Sequence, residues 1–160
     1  MLRLENSMYH CRKRIAFLLM ITVLGCGKST PPDGSDPIIG SVGTVEVTAR
    51  LTDIQGEFPP NDLYDYAYVM KYDVVKTHRG NVSGSILVGH YNPLKPRSEA
   101  ADQRADDVGG NVTAFHVGDV HRLALEVPID EYCMAGIINK YADQEESPIY
   151  WAVWTNEVVQ

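Results

Sequence analysis

The chain has 160 residues, of which 44% are hydrophobic and 22% charged, values that are typical of one folded domain and exclude a disordered chain or a multi-domain enzyme. Its formal net charge is −7, and without residues 1–26 the remainder carries 10 basic against 20 acidic side chains. Because nucleic-acid phosphates are bound by basic surfaces, this balance argues against a nucleic-acid partner.

The amino-terminal segment has the order of a secretion signal. Residues 12–14 (Arg-Lys-Arg) precede an uncharged run, residues 15–24, which as a helix spans only about 15 Å, half of what a bilayer requires. The sequence Val-Leu-Gly-Cys at residues 23–26 resembles the lipobox of bacterial lipoproteins. The resemblance implies a signal peptide over residues 1–25, with Met8 as an alternative start, and acylation of Cys26. The lipid on Cys26 then anchors the protein in the bacterial cell envelope, facing the periplasm or the exterior.

The residues after Cys26 predict a tether followed by a single β domain. Residues 27–43 are rich in Gly, Pro, Ser, Thr and Asp, a composition typical of flexible linkers, so the lipidated cysteine and tether are assigned to residues 26–43. The β domain is assigned to residues 44–160. Its one cysteine, Cys133, has apolar neighbours and is expected to be a buried apolar side chain rather than a nucleophile.

Alternation of apolar and polar residues predicts strands through most of the β domain. The predicted strands are residues 44–51, 64–77, 85–91, a short one at 112–117, 121–127 and 149–158. Residues 129–142 predict one short helix between the fourth main strand and the last, opened by Pro128 and weakened by Gly136. Five main strands with a long second one favour a small five-stranded Greek-key barrel of OB type, with an open β-sandwich as the alternative.

Several short motifs carry a further resemblance. They are the His-Arg-Gly turn at residues 78–80, the strand Ile-Leu-Val-Gly-His-Tyr at 86–91, residues 118–126, and Pro-Ile-Tyr-Trp at 148–151. In this layout the domain resembles small exported OB-like proteins, similar to netrin and metalloproteinase-inhibitor modules, found alongside bacterial alginate-type polysaccharide O-acetylation machinery. The resemblance implies an accessory role in the modification or export of a cell-envelope polysaccharide.

The sequence contains none of the common catalytic motifs, neither a nucleophile elbow, a phosphate-binding loop, a dinucleotide fingerprint nor a His-Glu-x-x-His pair. A non-enzymatic binding or accessory function without a cofactor is therefore favoured. The alternative is a small envelope hydrolase or metalloenzyme that uses His90, His116 and His121, the last two of which flank a Gly-Asp turn. Zinc needs three or four converging ligands, and ordinary half-buried histidines explain the same spacing.

Residues 90–97 form a local basic and aromatic segment in an acidic protein, stiffened by two prolines. The candidate ligand-binding residues in it are His90, Tyr91, Lys95 and Arg97. The two cations suit a carboxylate or sulfate, and Tyr91 suits a sugar ring, so the expected ligand is an acidic polysaccharide or the acidic face of an envelope protein complex. The competing interpretation is a rigid strand exit whose cations pair with neighbouring acidic side chains.

Tyrosines recur at every second or fourth position of the predicted second strand. The set comprises Tyr64, Tyr66, Tyr68 and Tyr72, together with Met70. A spacing of two puts these side chains on one face of the strand, and such a stripe is more often core and rim than a ligand platform.

Overall fold

The computed structural model describes residues 31–61, 64–133, 135–142 and 147–159, so the acylation candidate Cys26 lies outside the described residues. The strands are β1 (Val45–Asp53), β2 (Tyr66–Arg79), β3 (Ser85–Tyr91), β4 (Gly109–Gly110), β5 (Val120–Glu126), β6 (Gly136–Ile138) and β7 (Ile149–Glu157). Within these ranges the helical elements are two short 3-10 turns, Arg97–Glu99 and Ile129–Glu131. Neither turn approaches the length and apolar character that a membrane-crossing helix needs.

Five of the strands close into a barrel. Around the ring the order is β1, β2, β3, β7, β5 and back to β1, with β3 and β7 parallel and every other neighbouring pair antiparallel. This closed mixed barrel confirms the predicted fold class, a small β-barrel of OB type, over the open sandwich. The two short strands lie outside the ring, where β4 pairs with β7 and β6 pairs with the start of β2.

The barrel interior is filled by the apolar residues that alternate along the strands. In β1 these are Val45, Val47, Ala49 and Leu51, as the alternation predicts. In β2 they are Tyr66, Tyr68, Met70 and Tyr72, so these three tyrosines belong to the core, while Tyr64 before the strand is exposed. The first half of β2 is buried on its outer face as well, because Ala67 and Val69 pack in two smaller clusters outside the barrel.

The predicted helix over residues 129–142 is wrong. After the 3-10 turn Ile129–Glu131 the chain extends, and Gly136–Ile138 pairs in parallel with Tyr66–Tyr68 of β2. Gly136 disfavours a helix, and the free edge of β2 offers hydrogen-bonding groups that a following pair of β-branched residues, Ile137 and Ile138, can pair with in an extended conformation. Pairing with the sheet edge therefore replaces the local helical tendency.

The predicted short strand over residues 112–117 is also absent from the described structure of that segment. Val112 and Phe115 are buried against the barrel core from an irregular loop, and the strand in this region is instead Gly109–Gly110. Gly110 has a φ of +129° and its Cα lies directly against the backbone of Thr155, so only glycine fits there. A strand of two glycines has no alternating pattern by which sequence could reveal it.

Residues 31–43 are not part of the flexible tether that the sequence predicts. They form ordered turns that pack on the barrel. Ile39 is fully buried, and the Arg79 guanidinium donates hydrogen bonds to the carbonyls of Gly40 and Val42. The carboxylate of Asp36 accepts hydrogen bonds from the indole of Trp154 (3.1 Å) and the side chain of Asn156 (2.5 Å) on β7. The folded domain thus includes residues from at least Pro31 onward.

Asp36 organises this segment because its carboxylate also accepts the backbone N–H groups of Ile38 and Ile39, at 2.7 and 2.8 Å. Burial raises the pKa of this carboxyl, but the four hydrogen bonds outweigh burial and hold the pKa below its usual value. The ionised carboxylate is therefore the form that joins the segment to β7.

Replacing Asp36 with alanine is expected to lower the free energy of unfolding by about 2 to 3 kcal/mol, because charge-assisted hydrogen bonds to four donors are lost together. Urea denaturation of the full chain measures the change. Asp130→Ala, at an exposed carboxylate, is the matched control and should leave the unfolding midpoint nearly unchanged. Equal midpoints for the two variants would mean that the Asp36 carboxylate does not join residues 31–43 to β7.

Candidate functional site

Three polar side chains meet inside the apolar barrel, one from each of β2, β3 and β5. Tyr72 and His90 are completely buried, and His121 is 1% exposed. The Tyr72 hydroxyl lies 3.1 Å from Nε2 of His90 and 3.1 Å from Nδ1 of His121. A single hydroxyl therefore joins two imidazoles, and these residues are called the Tyr72 cluster below.

The cluster exists because the barrel is closed. β2 and β5 are not neighbours in the sheet, since both flank β1, and Leu51 and Ala49 of β1 lie opposite Tyr72 and His121 respectively. Tyr72 and His121 both point inward from their strands and meet across the interior. His90 is displaced along β3 from Ile86, the partner of Tyr72 in the ladder, so the long tyrosine side chain reaches it diagonally.

The loop that follows β4 covers the cluster with Phe115. The ring centroid of Phe115 lies 4.6 Å from that of His90 and 5.6 Å from that of His121, the second pair edge to face. The guanidinium carbon of Arg97 lies 5.3 Å from the same ring centroid. Phe115 therefore covers both imidazole rings on one side and packs against the buried Arg97 guanidinium.

Burial keeps both histidines of the cluster neutral. Desolvation lowers the pKa of His90 well below its ordinary value, with further lowering by the charges of Arg97 and His121. Desolvation also lowers the pKa of His121 to about 4, although the nearby Asp119 carboxylate opposes this shift. The pKa of the Tyr72 hydroxyl is raised well above 10 for the same reason. At neutral pH the cluster is an uncharged hydrogen-bonded chain.

The direction of that chain follows from proton counting. Tyr72 has one hydroxyl proton, so it donates to one imidazole and accepts from the other. Nδ1 of His90 is buried without a hydrogen bond, and an unpaired lone pair is tolerated there better than an unpaired N–H. On this hydrogen-bond reasoning His90 donates from Nε2 to Tyr72, and Tyr72 donates to Nδ1 of His121. His121 then carries its proton on Nε2.

Nε2 of His121 faces a pocket at the end of the barrel, here called the mouth pocket, with a volume of about 150 Å³. Its lining residues are Val112, Thr113, Ala114, His116, Asp119, His121 and Glu157. The Asp119 carboxylate accepts the backbone N–H of His116 at 2.8 Å and lies 3.9 Å from Nε2 of His121, beyond hydrogen-bonding distance. The inner wall of the pocket is thus the outer end of the Tyr72 cluster.

Of the histidines proposed as metal ligands, the structure brings His90 and His121 together but places His116 at the exposed rim. The two buried rings each direct a nitrogen at the Tyr72 hydroxyl, which occupies the position between them. Among the described residues no three His, Cys, Asp or Glu side chains are placed to hold a metal ion. The three-histidine spacing therefore brings His90 and His121, but not His116, into a buried hydrogen-bond chain.

The expected binding surface over residues 90–97 is wrong as an exposed surface, because His90, Tyr91 and Arg97 are all buried. The hydroxyl of Tyr91 donates to the Asp102 carboxylate at 2.7 Å. Of the four candidate residues Lys95 alone reaches the surface, with its side chain 41% exposed, and its ammonium lies 3.3 Å from the Asp65 carboxylate. The alternative interpretation, a rigid strand exit with paired groups, agrees better with these contacts.

Arg97 explains why this segment is rigid. Its guanidinium donates to the carbonyls of Tyr91 (2.7 Å), Asn92 (2.6 Å) and Lys95 (3.0 Å), all within its own loop. Burial lowers the pKa of Arg97 to about 10, which leaves it charged at neutral pH. Asn92, at a φ of +46°, makes the tight turn that these bonds close. Arg97 is thus a structural cation that no polysaccharide can reach.

Cys133 is buried, as expected, and burial raises the pKa of its thiol above the ordinary value. A raised pKa disfavours the thiolate, so the setting is that of an apolar side chain rather than of a nucleophile. Sequence reasoning missed Tyr72 as a polar centre, and it missed Asp119 and Glu157 as pocket residues. The Gly118-Asp119 turn before β5 was the one available signal for the mouth pocket.

Fold and site together define a small OB-type barrel with a buried tyrosine–histidine cluster behind a shallow pocket. No family model, curated protein or solved structure was found to match the chain. Functional inference therefore rests on the residues of this chain.

Replacing Tyr72 with phenylalanine keeps the ring but leaves two buried imidazole nitrogens without partners. We expect the free energy of unfolding to fall by about 2 to 4 kcal/mol, since each unpaired buried group costs roughly 1 to 3 kcal/mol. Urea denaturation at pH 7.5 measures the loss, with Tyr132→Phe, an exposed tyrosine, as the matched control. A Tyr72→Phe protein as stable as that control would show that the hydroxyl does not join the histidines.

Proposed function

We propose that this protein is a lipid-anchored binding or accessory domain of a bacterial cell envelope that supports the modification or export of an envelope polysaccharide. The observation that carries the anchoring is the order basic, apolar, Val-Leu-Gly-Cys over residues 12–26. The polysaccharide role is supported by the resemblance of most of residues 44–154 to exported OB-like modules, and by the barrel of OB type. Barrels of this kind commonly bind oligosaccharides or oligonucleotides, and the acidic charge disfavours the second.

Anchoring at Cys26 would hold the barrel close to the lipid surface. Only residues 27–30 separate Cys26 from Pro31, the first described residue, so the two are at most about 18 Å apart. The backbone carbonyl of Pro32 accepts the N–H of Val159, just beyond the end of β7. A domain of this size is roughly 35 Å across. The end of the barrel that carries Glu157 and the mouth pocket would therefore lie on the membrane-proximal side.

A binding function is favoured over an enzymatic one by the chemistry of the buried cluster. Both of its histidines are neutral and bonded to Tyr72, and neither reaches a serine, threonine or cysteine side chain through a hydrogen bond in the described structure. General acid–base chemistry needs a group that titrates near the working pH, whereas the pKa of His121 is lowered to about 4. A hydrolase or metalloenzyme centred on His90, His116 and His121 remains the weaker candidate.

Lipidation is tested by metabolic labelling with palmitate. The wild-type protein should take up label and fractionate with membranes, and Cys26→Ser should lose both properties because the acylated thiol is removed. Cys133→Ser and Cys11→Ser are the matched controls and should label as strongly as wild type. Equal labelling of the Cys26→Ser protein would overturn the anchoring proposal, and hydrolytic activity that is lost in His121→Gln would favour the enzymatic candidate.

A further inference from the structure

The mouth pocket carries two carboxylates that lack a cationic partner. Within the described residues neither Asp119 nor Glu157 forms an ion pair with a lysine or arginine. The ionisable side chains close to the Asp119 carboxylate are those of His116 and His121. Both acidic side chains line the same pocket, whose remaining walls are the small apolar and hydroxyl side chains Val112, Thr113 and Ala114. The pocket therefore brings two carboxylates together in a protein that is already acidic, and the nearest arginine contact is that of Arg50 with the neighbouring Gly118 carbonyl, at 2.7 Å.

A second observation points independently to a ligand at this place. His121 is 99% buried, yet its Nε2 reaches the pocket and has no hydrogen-bond partner there, since the nearest carboxylate oxygen is 3.9 Å away. Its other nitrogen is bonded to Tyr72, which fixes the ring so that Nε2 lies on the side of the Asp119 carboxylate. The pocket thus places the Nε2 atom of a buried imidazole beside two carboxylates, of which Asp119 also accepts the backbone N–H of His116.

We infer that the mouth pocket binds a small ligand that carries a primary ammonium group next to an oxygen atom. The ammonium would be held by Asp119 and Glu157, and the neighbouring oxygen would accept the proton of His121 Nε2–H. The volume admits one six-membered ring or a shorter chain, so a terminal residue or a substituent enters rather than the middle of a polymer. An anionic sugar would be repelled by both carboxylates.

Two sources supply this chemistry, namely an amino sugar and an ethanolamine headgroup. An amino sugar fits an envelope polysaccharide, and a headgroup fits the membrane-proximal position of the pocket. Binding of a soluble amine does not require lipid on Cys26, so a failure of lipidation and a failure of ammonium binding are separate results.

The binding is tested by NMR on the ¹⁵N-labelled full chain in detergent micelles at pH 7.5, titrated with D-glucosamine and with ethanolamine. D-glucose and ethylene glycol are the neutral counterparts. We expect the amides of Gly118, Asp119 and His121 to shift with both amines, at least tenfold more tightly than with the neutral compounds, and more weakly as salt is raised. Tighter binding of glucosamine would identify an amino sugar as the source, and tighter binding of ethanolamine a headgroup.

Variants assign the binding to the two carboxylates. Glu157→Gln and Asp119→Asn should each weaken glucosamine binding about fivefold, as expected for loss of one partly exposed charge contact, while Glu131→Gln at a distant exposed site should not. If Asp119→Asn loosens the turn that its carboxylate supports, the affinity of Glu157→Gln for glucosamine is the deciding measurement. Equal binding of glucose and glucosamine, or unchanged affinity in Glu157→Gln, would overturn the inference.

Discussion

The hydroxyl of Tyr72 is the group on which the interior of this barrel depends. Two imidazoles cannot be placed in an apolar core without hydrogen-bond partners, and this one oxygen serves both His90 and His121 at 3.1 Å. The two hydrogen bonds of Tyr72 form only when the barrel closes, because closure places β5 opposite β2 across the interior. Phe115 then covers the rings, so the polar chain is shielded on one side and open to solvent only through His121.

A neutral buried pair makes stability dependent on pH. In the unfolded chain the histidines bind protons near pH 6.5, but in the folded barrel the pKa of His121 is lowered to about 4 and that of His90 is lowered as well. Below about pH 6.5 the unfolded state therefore binds more protons, and stability is lost as the pH falls toward 4. The contribution of His121 alone is on the order of 3 kcal/mol. Above pH 7 it is fully present.

The strands could be predicted from the sequence because alternation in β1 and β5 reports which side chains face the core, and because the short apolar run of β3 is typical of a strand buried on both faces. The site could not be predicted in the same way. A period of two places Tyr72 on the inner face of its strand, but it does not show that the hydroxyl meets two histidines that lie 18 and 49 residues further along the chain. The prediction that Arg97 binds a ligand is wrong for a related reason. A cation beside prolines suggests an exposed ligand site, whereas here three carbonyls of its own loop bind it in the interior.

The most direct test is ¹⁵N NMR of the histidine rings in the folded protein, followed as the pH is lowered from 8 to 5. The structure requires that His90 and His121 stay neutral throughout this range, with the proton of each ring on Nε2. Titration of His90 or His121 near pH 6.5, or a proton on Nδ1 of either ring, would contradict the hydrogen-bond chain through Tyr72.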